Sequence, residues 1–464
     1  MLHIAIVGTG SGAFAAAIEA AQRGARVTII EACEVIGGTC VNTGCVPSKI
    51  LIHGAHIAHQ QDHHAVAGVP LNTPVIDRKA MVVQQQAWVE KLRFEKYENI
   101  LEMHSGITLL RGQARFQNTR TLLVDHADGT VSTLLPDRIL LAVGASPFIP
   151  DINGLSDTPY WTSTEALVAE KIPQHLIVLG SSVVALELAQ AYRHLGAKVT
   201  VLARRRLLMQ EDLQLAEGIQ KIFTDEGIDV MLHTTTQSIH HDGQQFMLAT
   251  NHGEVFGERL LIATGRRSNT RALNLEKSGV ETDAQDAIVV DKHMRTNMNN
   301  ISAVGDCTNQ PQFVYVAAAA GTCAARNMTG SEVSLDLSVI PAVIFTHPQI
   351  ATVGLSLQQA KQQGLKVQSR TLELANVPRA LANMDTRGFI KLVAEKEQGR
   401  IVGCQVLAAE GGEIIQTAAL AISHRMSIED LTHQLFPYLT MAEGLKLCAQ
   451  TFDKDVKQLS CCAG

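Results

Sequence analysis

The sequence predicts an α/β protein in which two Rossmann-like dinucleotide-binding units precede a smaller α+β domain. Two segments, which begin at His3 and at Leu176, share one plan: an apolar strand, a glycine-containing turn, a helix and a second apolar strand. The turn glycine and the end of the second strand are 23 positions apart in both segments. Beyond Ile340 the pattern changes, and Phe389 to Ala408 alternates like a hairpin before helical stretches follow. A chain that carries this unit twice is expected to bind two different dinucleotides.

The composition excludes several classes of protein. The chain has 464 residues, which is enough for roughly three domains, and 46% of them are hydrophobic. A net charge of −6 argues against a nucleic-acid or anionic-membrane surface. No apolar run is long enough to span a bilayer, and the chain opens on a strand without a cationic leader. Nine cysteines are too few, and odd in number, for a disulfide scaffold, so a reducing cytoplasm is expected.

The first unit carries the glycine pattern of a dinucleotide-binding turn between its strand and its helix. Gly8 would form the tight turn, and Gly10 would let the backbone approach a pyrophosphate at the helix N-terminus. Ala13 occupies the third position of the motif, which tolerates alanine. Glu31, at the end of the second strand, would accept hydrogen bonds from a ribose hydroxyl. A turn of the same shape that binds nothing is the alternative.

The second unit keeps the plan with a degenerate motif, whose three positions are Gly180, Ser182 and Ala185. Ala203 stands where the first unit has its acid, and Arg204 and Arg205 follow it. The loss of an anion and the gain of guanidinium groups suit a 2′-phosphate, which favours NADPH over NADH. The first unit would then hold the other dinucleotide, FAD. A solvated basic turn is the alternative interpretation.

A pair of cysteines, Cys40 and Cys45, lies just beyond the first unit in a segment rich in glycine. Five positions correspond to about 140° around a regular helix, so the two can pair only if the backbone leaves the helix between them. Gly44 permits such a break, and Pro47 suits the first turn of a following helix. A helix N-terminus with Lys49 nearby favours a thiolate, and hence a reactive cysteine. Two unrelated buried cysteines are the alternative.

The stretch from Gly37 to Lys49 resembles the active-site signature of the FAD-dependent pyridine nucleotide–disulfide oxidoreductases, which include glutathione reductase and dihydrolipoamide dehydrogenase. The resemblance covers essentially the whole chain, because further family-like motifs follow in order at Gly112–Phe116, Ala142–Gly144, Ala263–Arg266 and Ala303–Asp306. It implies that Asp306 binds the flavin ribityl chain. The other positions that it assigns to the cofactors are Ala13, Gly38, Thr39, Lys49, Ala114, Gly144, Gly265 and Val314. It also implies that Glu187 pairs with Lys49 beside the flavin.

The same resemblance predicts how the chain is divided. We expect an FAD-binding domain in two parts, 1–150 and 271–338, an NADPH-binding domain at 151–270 and a dimerisation domain at 339–464. The segment from Phe345 onward would form the interface of a homodimer, whose active sites are shared between the subunits.

One departure from the family concerns its acid–base group. Disulfide reductases of this family supply a histidine to the partner subunit from a His-Pro-Thr-x-x-Glu segment. Here Thr440 and Glu443 remain, but Tyr438 stands where histidine is expected. A phenol with a pKa near 10 cannot shuttle a proton at neutral pH as imidazole does. Efficient reduction of a disulfide substrate is therefore not expected.

A second departure is the C-terminal pair Cys461-Cys462, on a segment of small residues that would present two soft thiolates to a thiophilic metal. With Tyr160 and Tyr438, it resembles the mercury(II)-reducing branch of the family, represented here by a catalytic core without an N-terminal metal-binding module. The implied activity is that of an oxidoreductase acting on a metal ion. Hg(II) would arrive as a thiol complex and pass from Cys461 and Cys462 to Cys40 and Cys45, where NADPH would reduce it through FAD.

Alternatives to this interpretation remain. The vicinal cysteines could be placed by chance, or the chain could be a thioredoxin-reductase-like enzyme or a protein that only sequesters mercury.

The histidines and cysteines outside these motifs are expected to have structural roles. The histidines at helical spacing, which are His53, His56, His59 and His63, are predicted to form polar surface, because no carboxylate lies among them. The remaining cysteines, Cys33, Cys307, Cys323, Cys404 and Cys448, are predicted to fill the core.

Overall fold

The computed structural model describes residues 1–456. Its strands are β1 His3–Val7, β2 Arg26–Glu31, β3 Ile107–Arg111, β4 Gln113–Phe116, β5 Leu122–Asp125, β6 Val131–Leu134, β7 Arg138–Leu141, β8 Ala145–Pro147, β9 His175–Leu179, β10 Lys198–Leu202, β11 Asp229–Met231, β12 Thr236–His241, β13 Phe246–Thr250, β14 Gly253–Gly257, β15 Arg259–Ile262, β16 Arg266–Ser268, β17 Ile301–Ala303, β18 Ala342–Ile344, β19 Gln349–Gly354, β20 Val367–Glu373, β21 Phe389–Glu395 and β22 Ile401–Ala408.

The α-helices of the same residues follow in chain order. They are α1 Ser11–Gln22, α2 Gly38–Asn42, α3 Cys45–Asp62, α4 Arg78–Arg93, α5 Asn99–Met103, α6 Ser163–Val168, α7 Val183–His194, α8 Leu213–Asp225, α9 Leu275–Ser278, α10 Val314–Met328, α11 Leu357–Gln362, α12 Pro378–Ala382, α13 Gly411–Ser423, α14 Ile428–His433 and α15 Glu443–Gln450. None of the described helices is both long enough and apolar enough to cross a membrane.

The chain forms two compact units, each assembled from separate segments. The first comprises residues 1–50, 80–149 and 265–336, and the second comprises 51–79, 150–264 and the residues from 337 onward. The first unit is built on a parallel sheet with the order β17-β7-β1-β2-β3. Nearly every residue of β1 and β2 is buried, as expected for strands that helices cover on both faces.

Helices α1 and α10 of the first unit pack with their backbones in contact. A Cβ atom on Gly321 would lie 2.1 Å from the carbonyl oxygen of Gly12, and one on Gly12 would lie 2.9 Å from that of Ala317. Only glycine allows this approach. Arg326 and Glu19 add an ion pair of 2.8 Å between the same two helices. Gly12 lies between Gly10 and Ala13 of the dinucleotide-binding motif, and the packing of α1 against α10 requires a glycine at this position.

The second unit contains a parallel sheet with the order β11-β10-β9-β15 and an antiparallel sheet β12-β13-β14. Its third sheet, β18-β19-β22-β21-β20, is antiparallel throughout and packs against α13 and α15. The predicted hairpin is confirmed here, because β21 and β22 pair across the turn at residues 396–400. The α/β fold class and the α+β character of the C-terminal part are confirmed as well.

Both predicted strand–turn–helix–strand units are present, and the same backbone contact closes each of them. Gly8 has φ +106°, and a Cβ atom there would lie 2.3 Å from the carbonyl oxygen of Ala142, just after β7. Gly180 has φ +141°, and its Cβ would lie 2.2 Å from the carbonyl oxygen of Ala263, just after β15. In each sheet this is where the strand order reverses, the position at which doubly wound folds bind nucleotides.

We expect Gly180→Ala to destabilise the second unit by about 2 kcal/mol more than Gly196→Ala does. Gly196 also has a left-handed φ, +102°, but no atom lies within 4 Å of its Cβ position, so alanine there meets only backbone strain. Differential scanning calorimetry of both variants would measure the difference. Equal losses in melting temperature would show that the close approach to Ala263 adds nothing to the cost of the substitution.

Candidate active site and dinucleotide sites

The cysteine pair lies where the backbone leaves one helix and enters the next. Helix α2 ends at Asn42, Thr43 has φ −138°, and α3 begins at Cys45. The predicted break is thus confirmed, and Pro47 lies in the first turn of α3. Gly44 permits the break without a positive φ. A Cβ atom on Gly44 would lie 3.0 Å from the carbonyl oxygen of Thr39, so the residue provides space for the turn.

The two cysteines are thiols in this structure and interact with each other. The hydrogen bond with Cys45 and burial raise the pKa of Cys40 well above its ordinary value, and nearby Lys49 lowers it by less. Cys40 therefore keeps its proton and donates it toward the sulfur of Cys45. Cys45 is the first residue of α3, where the helix N-terminus favours negative charge. The thiolate expected in this pair remains a prediction.

The first glycine turn leaves the N-terminus of α1 open. Gly10 is the N-cap of α1, no side chain caps the helix, and no atom lies within 4 Å of where a Cβ would stand. The N–H groups of the first turn can therefore bind an anionic group. Gly38 contributes to the close approach, since its Cβ would lie 2.7 Å from the Cα of Gly10. Glu31 is held at the end of β2 by the Thr9 hydroxyl and by the Cys33 N–H at 2.8 Å.

A half-buried carboxylate marks a second region of the same unit. Asp306 lies in a short 3₁₀ turn after β17, where burial raises its pKa and Arg266, whose Nε is 3.7 Å from Oδ2, lowers it by less. A desolvated carboxylate of this kind is stabilised by hydroxyl donors such as those of a polyol. Together with the open α1 N-terminus and the anchored Glu31, Asp306 makes the first unit a fit for FAD.

The other positions implied for FAD lie in the first unit as well. Ala114 is buried in β4, Val314 is the first residue of α10, and Gly144 and Gly265 have positive φ in the loops after β7 and β15. Thr39 lies in α2, with its carbonyl against Gly44. Their contacts with the cofactor remain predictions.

The second glycine turn is open in the same way. Ser182 is the N-cap of α7 with an extended backbone, and its side chain makes no capping hydrogen bond. Ala185 is fully buried. The arginines that follow β10 divide into two kinds. Arg204 and Arg205 are exposed, and no ion pair engages them among the described residues. Arg206 instead donates to the carbonyl oxygens of its own loop, which are those of Leu208 at 2.9 Å, Met209 at 2.8 Å and Glu211 at 2.9 Å.

Three further predicted site residues lie in the second unit. Glu187 is buried in α7, where its Oε1 accepts the Phe345 N–H at 2.9 Å. Its pairing with Lys49 remains a prediction. Tyr160 is half-buried next to Trp161, which is fixed to β15 by a hydrogen bond to Leu260 of 2.8 Å.

Tyr438 lies in the loop between α14 and α15 and is 54% exposed. Close behind it in sequence, Glu443 is buried, and its Oε2 accepts no hydrogen bond from any described residue. The family segment thus keeps a buried carboxylate and carries an exposed tyrosine. The predicted metal ligands Cys461 and Cys462 lie outside the described residues.

Models of known families match nearly the whole chain. Residues 2–321 match the pyridine nucleotide-disulphide oxidoreductase model, and residues 340–449 match the dimerisation domain of the same family. The chain belongs to the pyridine nucleotide-disulphide oxidoreductases. Membership implies FAD and a nicotinamide dinucleotide as cofactors, and both glycine turns fit this use.

Relatives within the family share one name. The chain is 58% identical to the mercuric reductase of Shewanella putrefaciens, over 100% of this chain and 83% of that protein. It is also 58% identical to the mercuric reductase of Acidithiobacillus ferrooxidans, over 100% and 85% of the two chains. The mercuric reductase of Streptomyces lividans is 43% identical over 99% of this chain and 98% of its own length.

Solved structures of the family agree with the fold. The HOCl-induced flavoprotein disulfide reductase RclA from Escherichia coli superposes with a TM-score of 0.87 at 29% identity, covering 97% of this chain and 99% of that chain. LpdA from Mycobacterium tuberculosis superposes with a TM-score of 0.86 at 27% identity, covering 98% and 100% of the two chains.

The structure corrects one prediction about the cysteines outside the family signature. Cys33 is exposed, so the prediction that it fills the core is wrong. It follows β2 on a surface turn, where its backbone N–H and its thiol both contact Glu31. The prediction is confirmed for the other four, since Cys307, Cys323, Cys404 and Cys448 are all buried.

Two of the four histidines predicted to form polar surface, His53 and His63, are exposed as expected.

The structure corrects the prediction for His56 and His59. His59 stacks on His194 with ring centroids 3.9 Å apart, and His56 packs against His347 at 3.8 Å. The Glu226 carboxylate lies 3.1 Å from Nε2 of His194. His56 and His59 are therefore half-buried, and a carboxylate lies beside His194, on which His59 stacks. Nothing in the local spacing could indicate this, because the partners are more than 130 residues away.

We expect this histidine group to make the protein less stable in mild acid. Burial lowers the pKa of His56 to about 4, below the value near 6.5 of an unfolded chain. Between these two values the unfolded chain binds more protons, so the free energy of unfolding falls as the pH falls from about 6.5 toward about 4. His56→Gln should reduce the loss between about pH 7.5 and about pH 5 by about 1 kcal/mol.

Urea unfolding at the two pH values measures this loss, and the exposed His424 provides the control substitution His424→Gln. The interpretation fails if His56→Gln and His424→Gln respond to pH alike.

Proposed function

We propose that this chain is a mercuric reductase that reduces Hg(II) to Hg(0) with NADPH, through FAD and the cysteine pair Cys40 and Cys45. The observation that carries the proposal is full-length identity of 58% to relatives that bear this name. Tyr438 supports it, since the family's disulfide reductases need an imidazole at this position to protonate a leaving thiolate.

The cofactors divide between the two units. FAD would be held by the N-terminus of α1, Glu31 and Asp306, and NADPH by the N-terminus of α7 with Arg204 and Arg205 at its 2′-phosphate. When bound, the two together supply a pair of electrons from the nicotinamide to the cysteine site. The protein's own groups position the metal substrate and move its ligands.

The cysteines would bind Hg(II) by ligand exchange. Each protein thiolate forms one Hg–S bond as one carrier thiolate leaves, so the charge and the number of ligands are conserved. We place Cys461 and Cys462 of the partner subunit as the first protein ligands, and Cys45 and then Cys40 as the final ones. Two electrons then convert bound Hg(II) to the neutral atom, and both sulfurs return to thiolates.

The proton on Cys40 explains why no imidazole is required. With its pKa raised by the contact with Cys45, Cys40 does not ionise by itself at neutral pH. Formation of the Hg–S bond displaces the proton, and the departing carrier thiolate, with a pKa near 8.5, accepts it. Tyr160 and Tyr438 would line the route and need no proton transfer of their own.

Several broader assignments accompany this proposal. The dimerisation-domain match supports a homodimer with shared active sites. The domain division would be 1–150 with 271–338 for FAD, 151–270 for NADPH and 339–464 for dimerisation. A thiol-dependent reaction with NADPH as the reductant suits the reducing cytoplasm.

The deciding experiment follows NADPH absorbance with Hg(II) in excess thiol, and separately with oxidised glutathione or thioredoxin. We expect Hg(II)-dependent oxidation with release of volatile mercury, and Cys45→Ala should lower it by about 100-fold or more. Cys33→Ser is the control, because that cysteine is exposed and its backbone contact to Glu31 is retained.

Two outcomes would contradict the proposal. Rapid turnover with a disulfide and none with mercury would indicate a disulfide reductase, as the name of the similar Escherichia coli structure suggests for that protein. Stoichiometric mercury binding without NADPH consumption would indicate sequestration.

We expect the double substitution Arg204→Gln, Arg205→Gln to raise KM for NADPH by about 100-fold or more, since each of the two guanidinium–phosphate bonds contributes about 1.5–3 kcal/mol. KM for NADH should stay unchanged, because that cofactor lacks the 2′-phosphate. Steady-state kinetics with both cofactors provides the measurement. A parallel rise for both would point to a general defect of the loop.

A further inference from the structure

A second group of metal-binding side chains lies in the second unit and contains no cysteine. His59 comes from the last turn of α3, His194 ends α7, and Glu226 is the C-cap of α8. One ligand atom from each lies within 4.8 Å of the others. Three elements that are distant in sequence thus direct two imidazoles and a carboxylate to one place.

The carboxylate of this group is already fixed in position. Oε1 of Glu226 accepts from Arg387 at 3.0 Å, and Oε2 accepts from Gln190 at 2.9 Å. Oε2 also lies 3.1 Å from Nε2 of His194, whose side chain is only 3% exposed. Such supporting hydrogen bonds around a first ligand are characteristic of metal sites, where they hold the ligand in orientation.

The two imidazoles of the group lie against each other, with ring centroids 3.9 Å apart. A ring nitrogen of imidazole that carries no proton offers a lone pair to a metal. Imidazole with a carboxylate suits zinc, copper and nickel, whereas mercury prefers thiolates.

We propose that His59, His194 and Glu226 form a binding site for a divalent transition cation of the zinc class, separate in its ligands from the cysteine pair. The site would join α3, α7 and α8 within the second unit. Zinc–nitrogen bonds of about 2.1 Å place tetrahedral ligands about 3.4 Å apart. The ligand atoms of the group lie within 4.8 Å of one another, and those of His194 and Glu226 are already 3.1 Å apart, so no pair has to approach by more than about 1.4 Å. The His59 and His194 rings are stacked within 7° of parallel, and one ring must turn for the lone pairs to converge.

A neighbouring set, His59 with Asp62 and His63, is the competing location. Its side chains lie at the end of a single helix, and His63 is 54% exposed and already hydrogen-bonded to Asp62. An ion there would have to break this contact on an exposed surface. An ion at the buried set would also replace a contact, that between His194 and Glu226, but Arg387 and Gln190 would still hold the carboxylate. The buried set therefore has the stronger support.

The test uses the full-length holoenzyme, reduced with NADPH and then alkylated with N-ethylmaleimide so that thiols cannot bind the probe. Zn(II) uptake is measured by equilibrium dialysis, and Co(II) is used to identify the ligands. We expect about one Zn(II) per chain, and a Co(II) spectrum without a sulfur-to-metal charge-transfer band. His59→Gln and Glu226→Gln should each weaken Zn(II) binding by about 10-fold or more.

Two substitutions serve as controls. His53 is exposed on the same helix and outside the group, so His53→Gln should bind Zn(II) like the unmodified chain. His63→Gln should do so too. FAD content and melting temperature establish that each variant is folded.

The proposal is overturned if the alkylated protein takes up no Zn(II), or if His59→Gln binds as tightly as the unmodified chain. A loss with His63→Gln and none with Glu226→Gln would assign the ion to the neighbouring set instead. A charge-transfer band in the Co(II) spectrum would assign it to cysteine. All of these readouts are independent of mercury reduction.

Discussion

The architecture depends on one backbone contact that occurs twice. In each parallel sheet, the turn after the first strand meets the carbonyl group that follows the fourth, at Gly8 with Ala142 and at Gly180 with Ala263. No side chain fits between these backbones, so both positions require glycine. The contact brings the start of a helix to the carboxyl edge of the sheet, where its unpaired N–H groups can bind a phosphate.

Around these two helix ends the charged groups are arranged so that binding needs little rearrangement. Glu31 is anchored before any ribose arrives, and burial raises the pKa of the half-buried Asp306, whose carboxylate hydroxyl donors of a polyol would stabilise. The cysteine pair is prepared in a similar way, since its two thiols already interact with each other. Such a pair exchanges ligands with a soft cation and gains little from an added base, which agrees with a tyrosine at position 438.

The sequence predicted the features that depend on short-range pattern. The repeated strand–turn–helix plan and the break between Cys40 and Cys45 rest on local periodicity, glycine and proline, and the structure contains both. It did not predict features that depend on contacts between distant segments. The contact of Gly12 with Gly321 and the stacking of His59 on His194 join residues far apart in the chain, and no local signal marks them. The roles of Cys461, Cys462 and the Glu187–Lys49 pair remain predictions.

Among the three consecutive arginines after β10, only Arg206 is committed to the architecture of its loop. The hydrogen bonds of its guanidinium to the loop carbonyls hold the loop in place, so the shape of the loop does not depend on Arg204 or Arg205. On the proposed function, evolution could therefore exchange Arg204 and Arg205, and with them the preferred nicotinamide coenzyme, while the loop keeps its form. The choice of coenzyme in this chain would then be encoded in two adjacent codons. It could change without affecting folding, because Arg206 alone maintains the loop.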